Sequence, residues 1–133
     1  METAGMFDPK YLRWIRGLPC VMCHPGVALN PWVHWEPGKR SDPDHLPTPD
    51  LKGLGSKTPD WFTVPLCRPC HDWRGRNVRA RTVRVRLSRD RPERTMLARE
   101  MAAKFQDVNL WTIVARLLWA YHHPPEGMET WAI

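Results

Sequence analysis

Val64-Pro65-Leu66-Cys67-Arg68-Pro69-Cys70-His71 is the stretch that decides the fold. Its Cys-x2-Cys pair has one counterpart, Cys20-x2-Cys23, and the two pairs account for every cysteine of the chain. Two thiolates so spaced grip a tetrahedral Zn²⁺ from a tight turn, and two such pairs close a four-sulfur shell. With no coordination position left for substrate, that zinc is expected to be a structural staple. A disulfide within a pair would be strained at this spacing, and nothing at the N-terminus reads as a secretory signal. Cys20, Cys23, Cys67 and Cys70 are therefore read as zinc ligands.

Outward from the cysteines, 133 residues with no long apolar run suggest a soluble protein of one domain, or of a small domain with an appendage. Twenty Lys+Arg against 14 Asp+Glu give a net charge of +6, which favours a polyanionic partner over a membrane. Arg74 to Arg94 holds nine arginines in 21 residues, with Val83, Val85 and Leu87 alternating with Arg84 and Arg86 in a strand-like period. Arg74, Arg76, Arg84 and Arg86 are the expected phosphate contacts, because the guanidinium fork matches phosphate. Lys57, in Gly53-Leu54-Gly55-Ser56-Lys57, adds a point charge on a loop where glycine lets the backbone approach. This loop lacks the spacing and the leading strand of a nucleotide-binding P-loop.

Asp8-Pro9 marks a helix start and Gly17 its stop, with Tyr11, Leu12 and Ile15 on one face. Trp32-Val33-His34-Trp35 carries the aromatic and β-branched residues of a short strand, closed by Pro37-Gly38. Residues up to Pro59, rich in Pro, Gly, Asp and Lys, read as a long loop. Ser41-Asp42-Pro43 within it is not expected to form a buried strand. Trp61 to Leu66 reads as a second strand with Pro65 confined to its end. Asp90 and Glu93 begin a helix toward Phe105, and Leu110, Ile113, Val114, Leu117, Leu118 and Tyr121 recur at helical spacing. His24 is expected on the knuckle surface, and His122 and His123 point to different helix faces, so none of them is expected to bind metal.

The order of these parts resembles the HNH endonucleases: a Cys-x2-Cys knuckle, a strand with His34, a loop, a second strand, then Cys67-x2-Cys70-His71 entering a helix. Tyr11 to Cys20, Gly53 to Lys57 and Val64 to Cys67 are similar to a phage and prophage group that includes the recombination enhancement function nucleases. The resemblance spans roughly residues 10 to 75. It implies an α+β fold: a ββα-metal finger on a four-cysteine zinc ribbon, with an N-terminal helix and a helical C-terminal extension. On this reading residues 8–80 form the finger domain and 81–133 a basic segment and helical extension.

The resemblance also implies a metal-dependent DNA endonuclease or nickase, acting with Mg²⁺ or Mn²⁺ in recombination or genome processing. DNA is then the partner, with a recombinase or other phage proteins beside it, in the cytoplasm of a bacterial host. His71 falls on the family's helix-borne metal-ligand position. Two histidines compete for the general base. His34 is favoured for its strand and its His34-Trp35-Glu36-Pro37 context, although Val33 stands where the family has an acid. Asp44-His45 supplies that acid, but from a loop; with His34 as base, Asp42 or Asp44 reaches back as a metal ligand. Phe62 occupies the position of the family's middle Asn, leaving Asp60 or Thr63 to anchor the base. The rival functions are a non-catalytic zinc-ribbon DNA-binding module and a protein-interaction scaffold built on the Leu110 to Tyr121 helix.

Overall fold

The computed structural model describes residues 7–46, 58–79, 82–83, 100, 102–106 and 108–128. In chain order the elements are α1 (Pro9–Arg16), α2 (Gly26–Leu29), α3 (Pro31–His34), β1 (Asp42–His45), β2 (Thr63–Leu66), α4 (Arg68–Asn77), β3 (Val78–Arg79), β4 (Thr82–Val83) and α5 (Leu110–His122). β1 pairs antiparallel with β2, and β3 with β4, so the fold is α+β with small two-stranded sheets. No helix among the described residues is long and apolar enough to cross a membrane.

Helix α1 starts as its sequence dictates. The Asp8 carboxylate accepts from the Tyr11 backbone N–H, and Pro9 occupies a position whose N–H needs no partner. Gly17 ends it, but in an ordinary right-handed conformation with φ −79°. The glycine is required by space. A Cβ there would lie 2.4 Å from both the Glu36 carbonyl oxygen and Trp35 Nε1. The Trp35 indole donates to the Trp14 carbonyl (3.0 Å) and the Glu36 N–H to the Gly17 carbonyl (3.0 Å), so the chain folds back tightly on the helix end.

The segment Trp32 to Trp35 is a correction to the sequence reading. Pro31 opens a helical turn that includes His34, and Trp35 is its C-cap. The tryptophans serve packing: Trp32 lies 5.3 Å from Trp14, and Trp35 lies 5.7 Å from Trp32, ring centre to ring centre. Tertiary contact rather than β-propensity explains their presence.

A second correction concerns Asp42-Pro43-Asp44-His45, which forms the first strand of the larger sheet. Pro43 stands opposite Pro65, Asp44 opposite Val64 and His45 opposite Thr63. Leu46 N–H donates to the Phe62 carbonyl (2.9 Å), so hydrogen-bonded pairs fall at 46/62, 44/64 and 42/66. The two prolines share a non-bonded pair, where neither forfeits a ladder bond. Pro65 turns its carbonyl outward to accept from Val21 N–H (3.0 Å), which ties the first knuckle to β2.

One core joins the N- and C-terminal parts. Tyr11, Trp14, Ile15, Leu18, Val27, Leu46, Val64 and Leu66 bury against Phe105, Leu110, Val114 and Leu117. Tyr121 of α5 meets Tyr11 edge-on at 4.8 Å, and Trp32 donates through its indole to the Ala120 carbonyl (2.7 Å). Residues on both sides of the expected 80/81 boundary thus fill the same interior. Within the helix proposed from Asp90, the described residues 100 and 102–105 are helical.

Candidate metal centres

Cys20 and Cys23 lie on the turn after α1, and Cys67 and Cys70 at the entry of α4. Their sulfurs all fall within 4.8 Å of one another, and Cys23 Sγ is 3.8 Å from the sulfurs of both Cys67 and Cys70. Four thiolates about 2.3 Å from a tetrahedral zinc stand about 3.8 Å apart, whereas a disulfide requires about 2.05 Å. The cysteines are free, and their geometry is compatible with zinc. A hydrogen bond from Cys70 holds the Cys20 thiol down at about 4, while the same contact pushes Cys70 up. Lys104 Nζ approaches Cys23 Sγ at 3.6 Å; burial disfavours its charge, but the charges of Cys70 and Cys23 outweigh that and raise its pKa.

A second cluster forms where α4 crosses β1. Strand alternation turns Asp42 and Asp44 to the same side, and the three-residue spacing of Arg68, His71 and Arg74 turns those side chains toward them. His71 Nδ1 lies 3.5 Å from Asp42 Oδ2, and His71 Nε2 lies 3.5 Å from Asp44 Oδ1. Arg68 reaches the same Asp42 oxygen at 3.1 Å. Burial works to raise the Asp42 pKa, yet the bond to His71 and the charge of Arg68 hold it below its usual value. Asp44 is buried and gripped by Arg74, whose Nε bonds Oδ2 and whose Nη2 bonds Oδ1 at 2.9 Å. Arg74 is therefore an interior partner of Asp44 rather than the surface phosphate contact its arginine run suggested.

His45 projects from the opposite side of β1. Its Nε2 lies 2.8 Å from Asp60 Oδ1. The other Asp60 oxygen accepts from the Asp8 backbone N–H (2.7 Å), the Thr63 hydroxyl donates to the Asp60 carbonyl (2.9 Å), and the Trp61 indole donates to Asp8 (2.8 Å). The cap of α1 thus fixes the carboxylate that faces His45. His34 sits apart in α3, where its carbonyl accepts from Arg40 and its Nε2 faces Gly26. Arg76 is exposed on α4. Lys57, Arg84 and Arg86 lie outside the described residues. Sequence reading missed the Asp44–Arg74 and Asp8–Asp60–His45 links. The signal for the first was the match between two-residue spacing in β1 and three-residue spacing in α4.

These features define an α+β domain with a four-cysteine cluster compatible with zinc and a separate carboxylate–histidine cluster. Among known proteins, 63 residues, or 47% of this chain, are 35% identical to "Uncharacterized protein YdfU" of Escherichia coli (strain K12). That stretch spans 14% of the relative's length. No family model matches the chain, and no solved structure does.

Proposed function

We propose that this chain is a metal-dependent DNA endonuclease or nickase of the HNH type, with Zn²⁺ on Cys20, Cys23, Cys67 and Cys70 as a structural staple. The observation that carries the reading is the meeting of His71 and Asp44 at 3.5 Å, on a helix that follows two antiparallel strands. An imidazole nitrogen and a carboxylate oxygen suit a divalent ion such as Mg²⁺ or Mn²⁺, with Asp42 beside them. When bound, that ion would offset charge developing on the phosphate. Arg74 shares the Asp44 carboxylate and holds it toward His71.

His45, rather than His34, takes the role of base. If Nε2–H donates to Asp60, the tautomer is fixed and Nδ1 is left to accept a proton from water. Asp60 is a positioning residue, held in turn by Asp8. Net positive charge and exposed Arg76 suit the DNA backbone. Phage or prophage origin, a recombination role and a recombinase partner rest on the family resemblance.

Purified protein is expected to carry one zinc and to nick supercoiled plasmid with Mg²⁺ or Mn²⁺. His45→Ala is expected to lower cleavage by about 10²- to 10⁴-fold with DNA binding retained. His71→Ala is expected to abolish cleavage, and His34→Ala to change it little. Cleavage by both the His45 and His71 variants at the parent's rate would refute the mechanism. The saturation of Asp44 by Arg74 favours one rival, a non-catalytic DNA-binding module. Under that rival the parent binds plasmid and leaves it intact with either ion.

A further inference from the structure

Helix α5 has two stripes. Leu110, Val114 and Leu117 enter the core, while Arg116, Trp119 and His123 recur along an outward face. Trp119 is 65% exposed, although an indole is among the costliest side chains to leave in water. His123 stacks on one side of its ring, with centres 4.2 Å apart and planes 13° from parallel. The His123 ring is itself anchored through Nδ1 at 2.7 Å from the Trp119 carbonyl. Across from this pair runs the wall Ala28 to Trp32, secured to α5 by the bond from the Trp32 indole to Ala120.

Between the wall and the helix lies a cavity of about 310 Å³. Among the described residues, its ionisable lining side chains are Arg116 and His123, and none is a carboxylate. A second cavity of about 320 Å³ continues along α5 and shares Ala28, Leu29 and Arg116, so Arg116 borders both. Neither cavity includes His45, His71 or the cysteines. The first is at the small end of ligand pockets, about 300–1,000 Å³, which suits one planar group better than a folded segment.

We infer that this groove holds an unpaired base of single-stranded DNA, stacked on Trp119, with Arg116 on an adjoining phosphate. The inference rests on the nucleic-acid reading above but uses different residues. Stacking accepts any base because every base has a π-face, and a carboxylate-free, cationic lining matches a polyanion. Duplex DNA, with its bases paired and covered, offers the ring nothing to stack on.

The test is fluorescence anisotropy with the full-length, zinc-loaded protein, a labelled oligothymidylate and a duplex of equal length, without added divalent ion. Trp119→Ala is expected to weaken single-strand binding about 5- to 100-fold and duplex binding less than about twofold. Trp119→Phe should keep most of the affinity. Arg116→Ala should lower the single-strand salt slope by about 0.7. Unchanged single-strand affinity in Trp119→Ala, or an equal loss on both DNAs, would overturn the inference. So would sedimentation showing a parent dimer that Trp119→Ala dissolves, because the groove would then be a self-association surface. Plasmid cutting by the parent and its loss in His45→Ala test the nuclease separately, so failure of the groove and failure of the active site give different results.

Discussion

Replacing Arg74 by Met tests the interior of the second cluster most directly. Asp44 is 2% exposed and Arg74 8%, and the guanidinium bonds both carboxylate oxygens. Methionine keeps much of the apolar stem but leaves Asp44 with His71 as its remaining neighbour among these bonds. Removing one partner of a buried ion pair costs about 3–5 kcal/mol, because the other charge stays desolvated. For a domain of this size that is a large share of a total stability of about 5–15 kcal/mol. Each kcal/mol shifts the midpoint by about 3–5 °C, so the melting temperature should fall by about 10–20 °C. The assay is thermal unfolding by circular dichroism at neutral pH, with zinc saturating. Arg74→Met combined with Asp44→Asn should recover more than half of the loss, since the stranded charge is gone. A single variant within about 1 kcal/mol of the parent, or a double variant no better than the single, would refute the buried-pair account. If Asp44 and His71 hold a divalent ion, Mn²⁺ should stabilise Arg74→Met more than the parent, because the guanidinium no longer competes.

Gly17→Ala should destabilise by about 1–3 kcal/mol through overpacking, read from urea unfolding, because its Cβ would meet the Trp35 ring and the Glu36 carbonyl. Cys70→Ser should lower zinc content by metal analysis and leave the domain unfolded at 37 °C, since structural zinc contributes about 10 kcal/mol or more to small zinc domains. Tyr11→Phe should be neutral or stabilising by up to about 1 kcal/mol at pH 7, because the buried Tyr11 hydroxyl has no partner among the described residues. Burial raises the Tyr11 pKa, and the charges of Tyr121 and Asp8 raise it further. A raised folded pKa leaves stability intact below about pH 10 and removes it above, at about 1.4 kcal/mol per pH unit. Melting temperatures from pH 9.5 to 11.5 should therefore fall less steeply in Tyr11→Phe than in the parent.

The elements that sequence reading placed well are those whose signals are local. Asp8 and Pro9 specify the start of α1 within one turn. The apolar period from Leu110 to Tyr121 is long enough to exclude a strand, and the cysteine spacing anticipates one cluster whose geometry is compatible with zinc. The misread elements are those decided by distant partners. Trp32 and Trp35 looked like strand residues, but Trp32 packs on Trp14 from a helical turn, and Trp35, the cap of that turn, donates to the Trp14 carbonyl. Pro43 argued against a strand until its opposite number, Pro65, is seen at a non-bonded position. That misreading put His45 on a loop and His34 on a strand, whereas a strand carries His45 and a helical turn carries His34. The partnership of Asp44 and Arg74 spans 30 residues and was concealed in a run of arginines that looks solvated.

The facing prolines also bear on what this sheet does toward other molecules. A strand joins an open edge by matching a row of outward N–H and C=O groups. On β1 the outward position 43 has no hydrogen to offer, and on β2 position 65 has none either, while its carbonyl is already taken by Val21. An incoming chain would meet a missing rung on each side. The two-stranded sheet is thus capped against growth by the residues that made its sequence look unlike a sheet, and replacing Pro43 with Val would restore a template for aggregation.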